Sequence, residues 1–319
     1  MRTKERPERI TGSWLDFRHQ NPWDGHYWND QTAAFTCDQW HAKVAEMAAL
    51  GMDTIVIMST TLHGRSFYPS RVSEKRWEIA CLDPVRAVLD AAADRAMRVF
   101  VALGYHATSI GEISLEAPFL QWHQELAAEL ADRYGDHPGF YGWYLPYEAP
   151  IQGLYPQPHV EFTVKLGDYC RATLPGKPIL IAPYGTRSVR EDDRLVQQLR
   201  ELQVDAVAYQ DEVGVRKSTV EEVPAFYATL RKLHDAAGVP LWADVEVFDF
   251  EDQVYASPLV PAPIERVTRQ LENVTPYVAK ILCYQYPGLM NPPDSRAFAG
   301  HPDTIHLYRD YQAWLAQEG

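Results

Sequence analysis

Two glutamates stand where a catalytic pair would be expected. Glu148 closes the run Gly142-Trp-Tyr-Leu-Pro-Tyr-Glu, and Glu246 closes Leu241-Trp-Ala-Asp-Val-Glu. Cleavage of a glycosidic bond needs such a pair: one acid protonates the leaving oxygen, and one carboxylate attacks the anomeric carbon or activates water. A lone glutamate at the end of an apolar run is more often a rim residue bonded to Arg or Lys. A matched pair among aromatics favours the catalytic reading.

Three further acids compete for the role. Side chains alternate along a strand, so Asp244 shares a face with Glu246 while Val245 points away. Asp244 then lies deeper, either as a buried structural acid or as a group that tunes Glu246 by like-charge repulsion. Asp211 follows Gln210 in Gln-Asp-Glu-Val-Gly214, a turn suited to presenting one carboxylate to a sugar hydroxyl, with Glu212 the weaker candidate. Asp16, His19 and His106 also fall at or just after apolar runs, as does His63. No His-Glu-x-x-His is present, which disfavours hydrolytic zinc sites. An oxygen-rich Mg²⁺ or Mn²⁺ cage of Glu148, Asp211, Glu246 and a histidine is the metal alternative, and it would serve a sugar isomerase or epimerase. The expectation is that no metal and no cofactor take part. Cys37, Cys81, Cys170 and Cys283 are widely spaced, read as neither a disulfide framework nor a zinc site, and fit a reducing compartment.

Aromatics are numerous, with nine Trp and 18 Tyr. Most aromatics pack in cores, but several here lie beside Gly, Pro, Asp and Asn, where flat sugar rings could stack. Trp14, Trp23, Trp28, Tyr105, Trp143, Tyr184, Trp242, Tyr284 and Tyr286 are the candidates, with Gln285 beside them as a polar partner.

The elements that must position these residues recur as short apolar runs followed by helical patterns. The runs are Ser13–Phe17, Thr54–Thr60, Arg98–Tyr105, Phe140–Leu145, Pro178–Pro183, Ala206–Gln210, Pro240–Val247 and Val278–Tyr284. Several are continuously apolar, as strands covered on both faces of a parallel sheet are. Helix ends are marked by the capping box Thr36-Cys-Asp-Gln39 before Gly51, by Asp83-Pro84, by Ser218-Thr-Val-Glu221 before Gly238, and by Pro302. Eight strand–helix units in alternation predict a closed (β/α)8 TIM barrel over residues 12–319, after an N-terminal extension of residues 1–11. A doubly wound open sheet is the runner-up, but no nucleotide-binding glycine motif follows a strand. The long segments His19–Phe35, Thr61–Leu82, Thr108–Leu115, Asp249–Pro263 and Pro287–His301 all follow strands, which puts them on the C-terminal rim where barrel active sites are built. Strands four and seven oppose each other across the mouth. Long side chains converging on the axis predict carboxyl groups ~5–5.5 Å apart and retention of configuration.

Composition agrees with a globular enzyme: 46% apolar and 23% charged residues over 319. A net charge of −13 leaves no basic face for a nucleic-acid backbone. No signal peptide or membrane span is evident, so a cytoplasmic protein is expected, with a carbohydrate as its partner.

At these positions the chain resembles the DUF4434 family. The matching segments are Gly12-Ser-Trp-Leu-Asp-Phe17, Trp40, Leu50-Gly-Met-Asp-Thr-Ile-Val-Ile57, Phe67-Tyr-Pro-Ser70, Gly142 to Glu148, Ala182-Pro-Tyr184 and Ala208 to Gly214. The resemblance implies a glycoside-hydrolase-like TIM barrel. Where the family has two consecutive acids after the strand-four proline, Tyr147 here replaces the first, leaving Glu148. There is also a broader similarity to retaining glycosidases, which carry the acid/base on strand four and the nucleophile on strand seven. It implies those roles for Glu148 and Glu246, although Tyr147 stands where that group has Asn. A non-catalytic carbohydrate-binding barrel is the remaining alternative.

Overall fold

A computed structural model of the protein describes residues 9–106 and 111–318. Eight strands close into one barrel: β1 (Gly12–Leu15), β2 (Thr54–Ile57), β3 (Arg98–Ala102), β4 (Phe140–Tyr144), β5 (Ile179–Ile181), β6 (Ala206–Gln210), β7 (Leu241–Glu246) and β8 (Lys280–Tyr284). Every neighbouring pair is parallel, and β1 pairs with both β2 and β8 to complete the ring. The open-sheet alternative is thereby excluded. Residues 1–8 of the expected N-terminal extension, and 108–110 of the expected rim segment Thr108–Leu115, lie outside the described residues. Ile10 is buried, and its N–H donates to Tyr311 Oη at 2.8 Å.

The helices α1 (Cys37–Ala49), α2 (Pro84–Ala93), α3 (Ala117–Tyr134), α4 (Gln157–Thr173), α5 (Asp193–Glu201), α6 (Val223–Ala237), α7 (Ile264–Val274) and α8 (Thr304–Glu318) follow the strands in turn. Thr36 and Gln39 cap each other's backbone at α1, and Asp83 accepts from Arg86 N–H before Pro84 at α2. The expected box at Ser218 is a turn instead. There Glu222 accepts from Thr219 N–H at 2.8 Å and α6 begins at Val223. The final helix begins two residues after Pro302.

Alternation along the strands builds two cores. Trp14, Val56, Phe100, Tyr144, Leu180, Ala208 and Leu282 fill the barrel interior. Leu15, Ile55, Val101, Trp143, Val207, Val245 and Cys283 belong to the larger core between barrel and helices. Gly142 lacks a side chain because a Cβ there would meet the Phe100 ring at 2.7 Å. Most strands leave the ladder one to three residues earlier than predicted, and those departing residues form the rim.

Several of the described rim segments carry structure of their own. Thr61–Leu62, Arg65–Ser66 and Lys75–Arg76 make a small sheet after β2, Phe248–Phe250 pairs with Leu259–Pro261 after β7, and Asn29–Ala34 is a short helix after β1. The reading of the cysteines is corrected in one respect. Cys37 and Cys81 form a disulfide tying the start of α1 to the segment before α2, so the inference of a reducing compartment loses its footing. Cys170 and Cys283 are buried thiols. Burial pushes the Cys283 thiol up to about 12. Among the described residues no helix is long and apolar enough to cross a membrane.

Candidate active site

A cavity of about 310 Å³ opens at the C-terminal ends of the strands. Ten of the residues expected there line it: Trp14, Asp16 and His19 from the β1 end, Tyr105 from β3, Glu148 and Tyr184 from β4 and β5, and Gln210, Asp244, Glu246 and Tyr284 from β6 to β8. Both glutamates of the pair therefore reach one space, from strands three places apart in the ring rather than directly opposite.

Glu246 is the last residue of β7 and is 3% exposed. Its Oε2 accepts from Val215 N–H at 2.8 Å. That contact requires the turn after β6 to come close. A Cβ on Gly214 would lie 3.0 Å from Glu246 Cβ, so glycine is the residue that fits there. Burial, and then the neighbouring Asp211, push the Glu246 carboxyl well above its usual range, opposed by the Val215 N–H and the Arg266 guanidinium.

Glu148 sits four residues past β4. Burial raises its carboxyl to about 7, against a hydrogen bond from the Gln210 side chain and the positive charge of Lys217. The preceding Tyr147 faces away into an aromatic cluster, where its hydroxyl accepts from His106 N–H at 2.9 Å. It also lies 3.1 Å from His123 Nε2. The residue that departs from the family pattern is thus not a cavity residue.

Asp16 is buried beside Glu148 and raised to about 7, principally by burial. It accepts from the Tyr284 hydroxyl, and from Gln285 Nε2 at 3.3 Å. Gln285 is fully buried and holds Asp16 from behind rather than lining the cavity. Burial lowers His19 to about 4, leaving a neutral ring whose Nδ1 lies 2.9 Å from Asn21 O. Asp244, on the same face as Glu246, is 4% exposed and raised well above its usual value by burial and by Glu246.

Seven other expected residues are placed elsewhere. Asp211 is buried behind Glu246, where Oδ2 accepts from Gln270 Nε2 at 2.6 Å and Oδ1 from the N–H groups of Val213 and Glu246. Parity explains this: Gln210 points in, so Asp211 points out. The same parity turns Trp143 toward the helices. Trp242 has the inward parity but lies at the closed end of the barrel, edge-on to Phe100. Trp28 and Tyr286 are buried outside the cavity, Trp23 is 64% exposed and does not line it, and His106 lies behind Tyr105 and Tyr147 against Phe119 and Trp122. With Asp211 behind the strand, the alternative cage of Glu148, Asp211, Glu246 and a histidine is not assembled. Among the described residues no group of three or more His, Cys, Asp or Glu side chains is arranged to hold a metal.

Several lining residues escaped the sequence reading. Phe248, Phe250 and Tyr255 come from the hairpin after β7, and Asn21 and Asp24 from the β1 loop. Lys217 comes from the turn after β6, its ammonium 4.9 Å from the Tyr184 ring. The alternation Phe248-Asp-Phe250 beyond Glu246 was the one available signal.

The family model DUF4434, a domain of unknown function, matches residues 10–297. No curated protein matches the sequence. Among solved structures, a candidate alpha-L-fucosidase of Bacteroides thetaiotaomicron VPI-5482 is 20% identical, with a TM-score of 0.74 covering 96% of this chain and 93% of that one. A GH5_18 protein of Streptomyces cattleya in complex with Manβ1-4GlcNAc is 18% identical, with a TM-score of 0.55 over 96% of this chain and 81% of that one. Xylanase 10B of Thermotoga petrophila RKU-1, in complex with xylobiose, is 12% identical, with a TM-score of 0.54 over 90% and 94%. At these identities the likeness is one of fold, the glycoside-hydrolase-like TIM barrel.

Proposed function

The chain belongs to the DUF4434 family, and from that premise and the geometry of the barrel mouth we propose that it is a glycoside hydrolase acting with retention. The observation that carries the reading is that Glu148 and Glu246, from the ends of β4 and β7, line one aromatic-walled cavity. Glu148, raised to about 7, keeps a proton near neutrality and is the general acid. It protonates the leaving glycosidic oxygen as Glu246 attacks the anomeric carbon, which forms a glycosyl ester and releases the alcohol. Glu148, now a carboxylate, takes a proton from water as that water displaces Glu246, which returns both groups to their starting forms. Asp16, Gln210 and Tyr284 bind hydroxyls, and Tyr105, Tyr184 and Tyr255 supply stacking surfaces. Asp211 positions Glu246 from behind. The names of the neighbouring structures (fucosidase, xylanase) support the same class of reaction.

The test is a glycan-library screen of the wild type beside Glu246→Ala. Turnover should vanish in the variant while the melting temperature stays within a few degrees. Undiminished turnover would sink the assignment, and calorimetric binding without product in the wild type would leave a carbohydrate-binding barrel. Proton NMR of the first-formed anomer reads the stereochemistry. Dialysis against EDTA should leave turnover unchanged.

A further inference from the structure

Deepening the glycosidase reading, we propose that the cavity is a single-ended subsite that takes the terminal sugar of a chain, with Asp244 as the anchor at its inner end. The first observation is a wall on one side of the mouth. Strand β8 lies between β1 and β7, yet the loops after β1 and β7 join each other across it. Leu259 N–H donates to the Asp24 carbonyl at 3.1 Å, Asn21 Nδ2 to the Tyr255 carbonyl at 3.1 Å, and the Tyr27 hydroxyl to Glu251 Oε1 at 3.0 Å. Arg216, from the turn after β6, extends the wall by donating to Asp249 Oδ1 at 2.8 Å and the Phe250 carbonyl at 2.7 Å. A polymer bound through internal sugars needs an exit at both ends, and these loops close one of them. The volume, about 310 Å³, stands at the lower end of the roughly 300–1,000 Å³ range of ligand sites, as suits a short ligand.

The second observation is an unmatched polar group. Asp244 lines the cavity at 4% exposure, and its Oδ1 is buried without a hydrogen-bond partner. Buried polar atoms are almost always paired, so an orphan facing a cavity points to a ligand that completes it. Asp244 lies two residues below Glu246 on one face, ~6.6 Å deeper along the strand. A sugar whose anomeric carbon meets Glu246 would extend its far hydroxyls toward Asp244. Burial and the surrounding acids favour the protonated carboxyl, which both donates to and accepts from a hydroxyl. The rest of the chain would leave on the side of the mouth away from this wall.

Saturation-transfer NMR tests this with Glu148→Gln and a panel of cello-, xylo-, manno- and chito-tetraoses. The expected result is saturation concentrated on one terminal residue of the bound oligosaccharide. Asp244→Ala should weaken binding by about tenfold or more, because a hydroxyl-binding group is lost, while Asp244→Asn, which keeps donor and acceptor, stays within about threefold. Equal saturation along the chain, unchanged binding in Asp244→Ala, or no binding across the panel overturns the proposal. The glycosidase reading fails separately, by absence of turnover in the wild type. Release of internal fragments from a dye-linked polysaccharide would refute terminal binding while leaving that reading intact.

Discussion

The two sides of the mouth present the same functional group in opposite surroundings. On the β4 side, Glu148 follows Pro146 on a departing segment, and the groups that act on its carboxyl, Gln210 and Lys217, lower it. On the β7 side, Glu246 is held by the ladder itself and meets Asp211, Glu212 and Asp244, with Arg266 as the compensating charge. Burial raises both carboxyls, but neighbouring acids push Glu246 further up while Gln210 and Lys217 pull Glu148 back, so Glu246 holds its proton more firmly in the free protein. The difference teaches that position and protonation are supplied separately. Rigid placement suits a nucleophile, while the charge around it has to be relieved before it can act.

Removing the β7 group should give the largest effect. Glu246→Gln is expected to lower kcat by about 10⁴-fold or more, because covalent catalysis is lost outright. Glu148→Gln should cost about 10²- to 10⁴-fold, less for substrates with an acidic leaving group that needs no proton. Equal losses across leaving groups in the Glu148 variant would show that the acid is elsewhere.

The contrast in protonation is tested next. The proposed roles need Glu148 protonated and Glu246 ionised, which with Glu246 the tighter proton holder is a minority form at every pH. The acid limb of the kcat/KM profile should then lie near pH 7, with the optimum above it. Asp211→Asn removes a negative charge beside Glu246. Gln270, whose Oε1 has no partner, can turn its amide to accept from the new side-chain amide. The alkaline limb should move down and the peak should rise severalfold. A lower peak with the same shift in limb would exchange the two roles.

A stability measurement follows from the same charges. The folded value of Glu148 is about 7 against an ordinary 4.5. Its raised pKa means that the stability associated with the protonated carboxyl is complete below the unfolded value and is lost as pH rises through about 7. Glu148→Gln, neutral throughout, should melt a few degrees above wild type at pH 8 and together with it at pH 4.5. Melting curves at the two pH values check the sign, and an equal shift at both would exclude ionisation as the cause.

How far the sequence could be read follows strand parity and stops at the loops. Buried parallel strands announce themselves as largely apolar runs, several of them unbroken, so all eight were visible, and the barrel with them. Ten cavity residues followed from taking strand ends as the rim. Counting parity outward from Gln210 and from Gly142 would also have turned Asp211 and Trp143 away. Trp242 shows that parity without depth is insufficient: it shares a face with Glu246 and lies at the other end of the barrel. Lys217, Phe248 and Tyr255 reach the cavity because loops fold back over it, and the Cys37–Cys81 pair forms across 44 residues. No local periodicity encodes either.

The smallest expected effect lies on the loops flanking Glu246, where two exposed aromatics look equivalent by composition. Trp23 is 64% exposed and Tyr255 49%, and their loops touch through Asn21 and the Tyr255 carbonyl. Only Tyr255 lines the cavity, with the Lys217 ammonium 5.8 Å from its ring. Loss of a stacking surface should therefore raise KM severalfold in Tyr255→Ala, as removal of one aromatic contact of about 1 kcal/mol would. Trp23→Ala, which takes away an indole turned to solvent, should keep kcat and KM within about twofold, as exposed substitutions away from special features do. Measured on one substrate, the pair separates an aromatic that meets the ligand from one that merely shares its loop. A large KM effect in Trp23→Ala would mean that the ligand extends over the wall between β1 and β7.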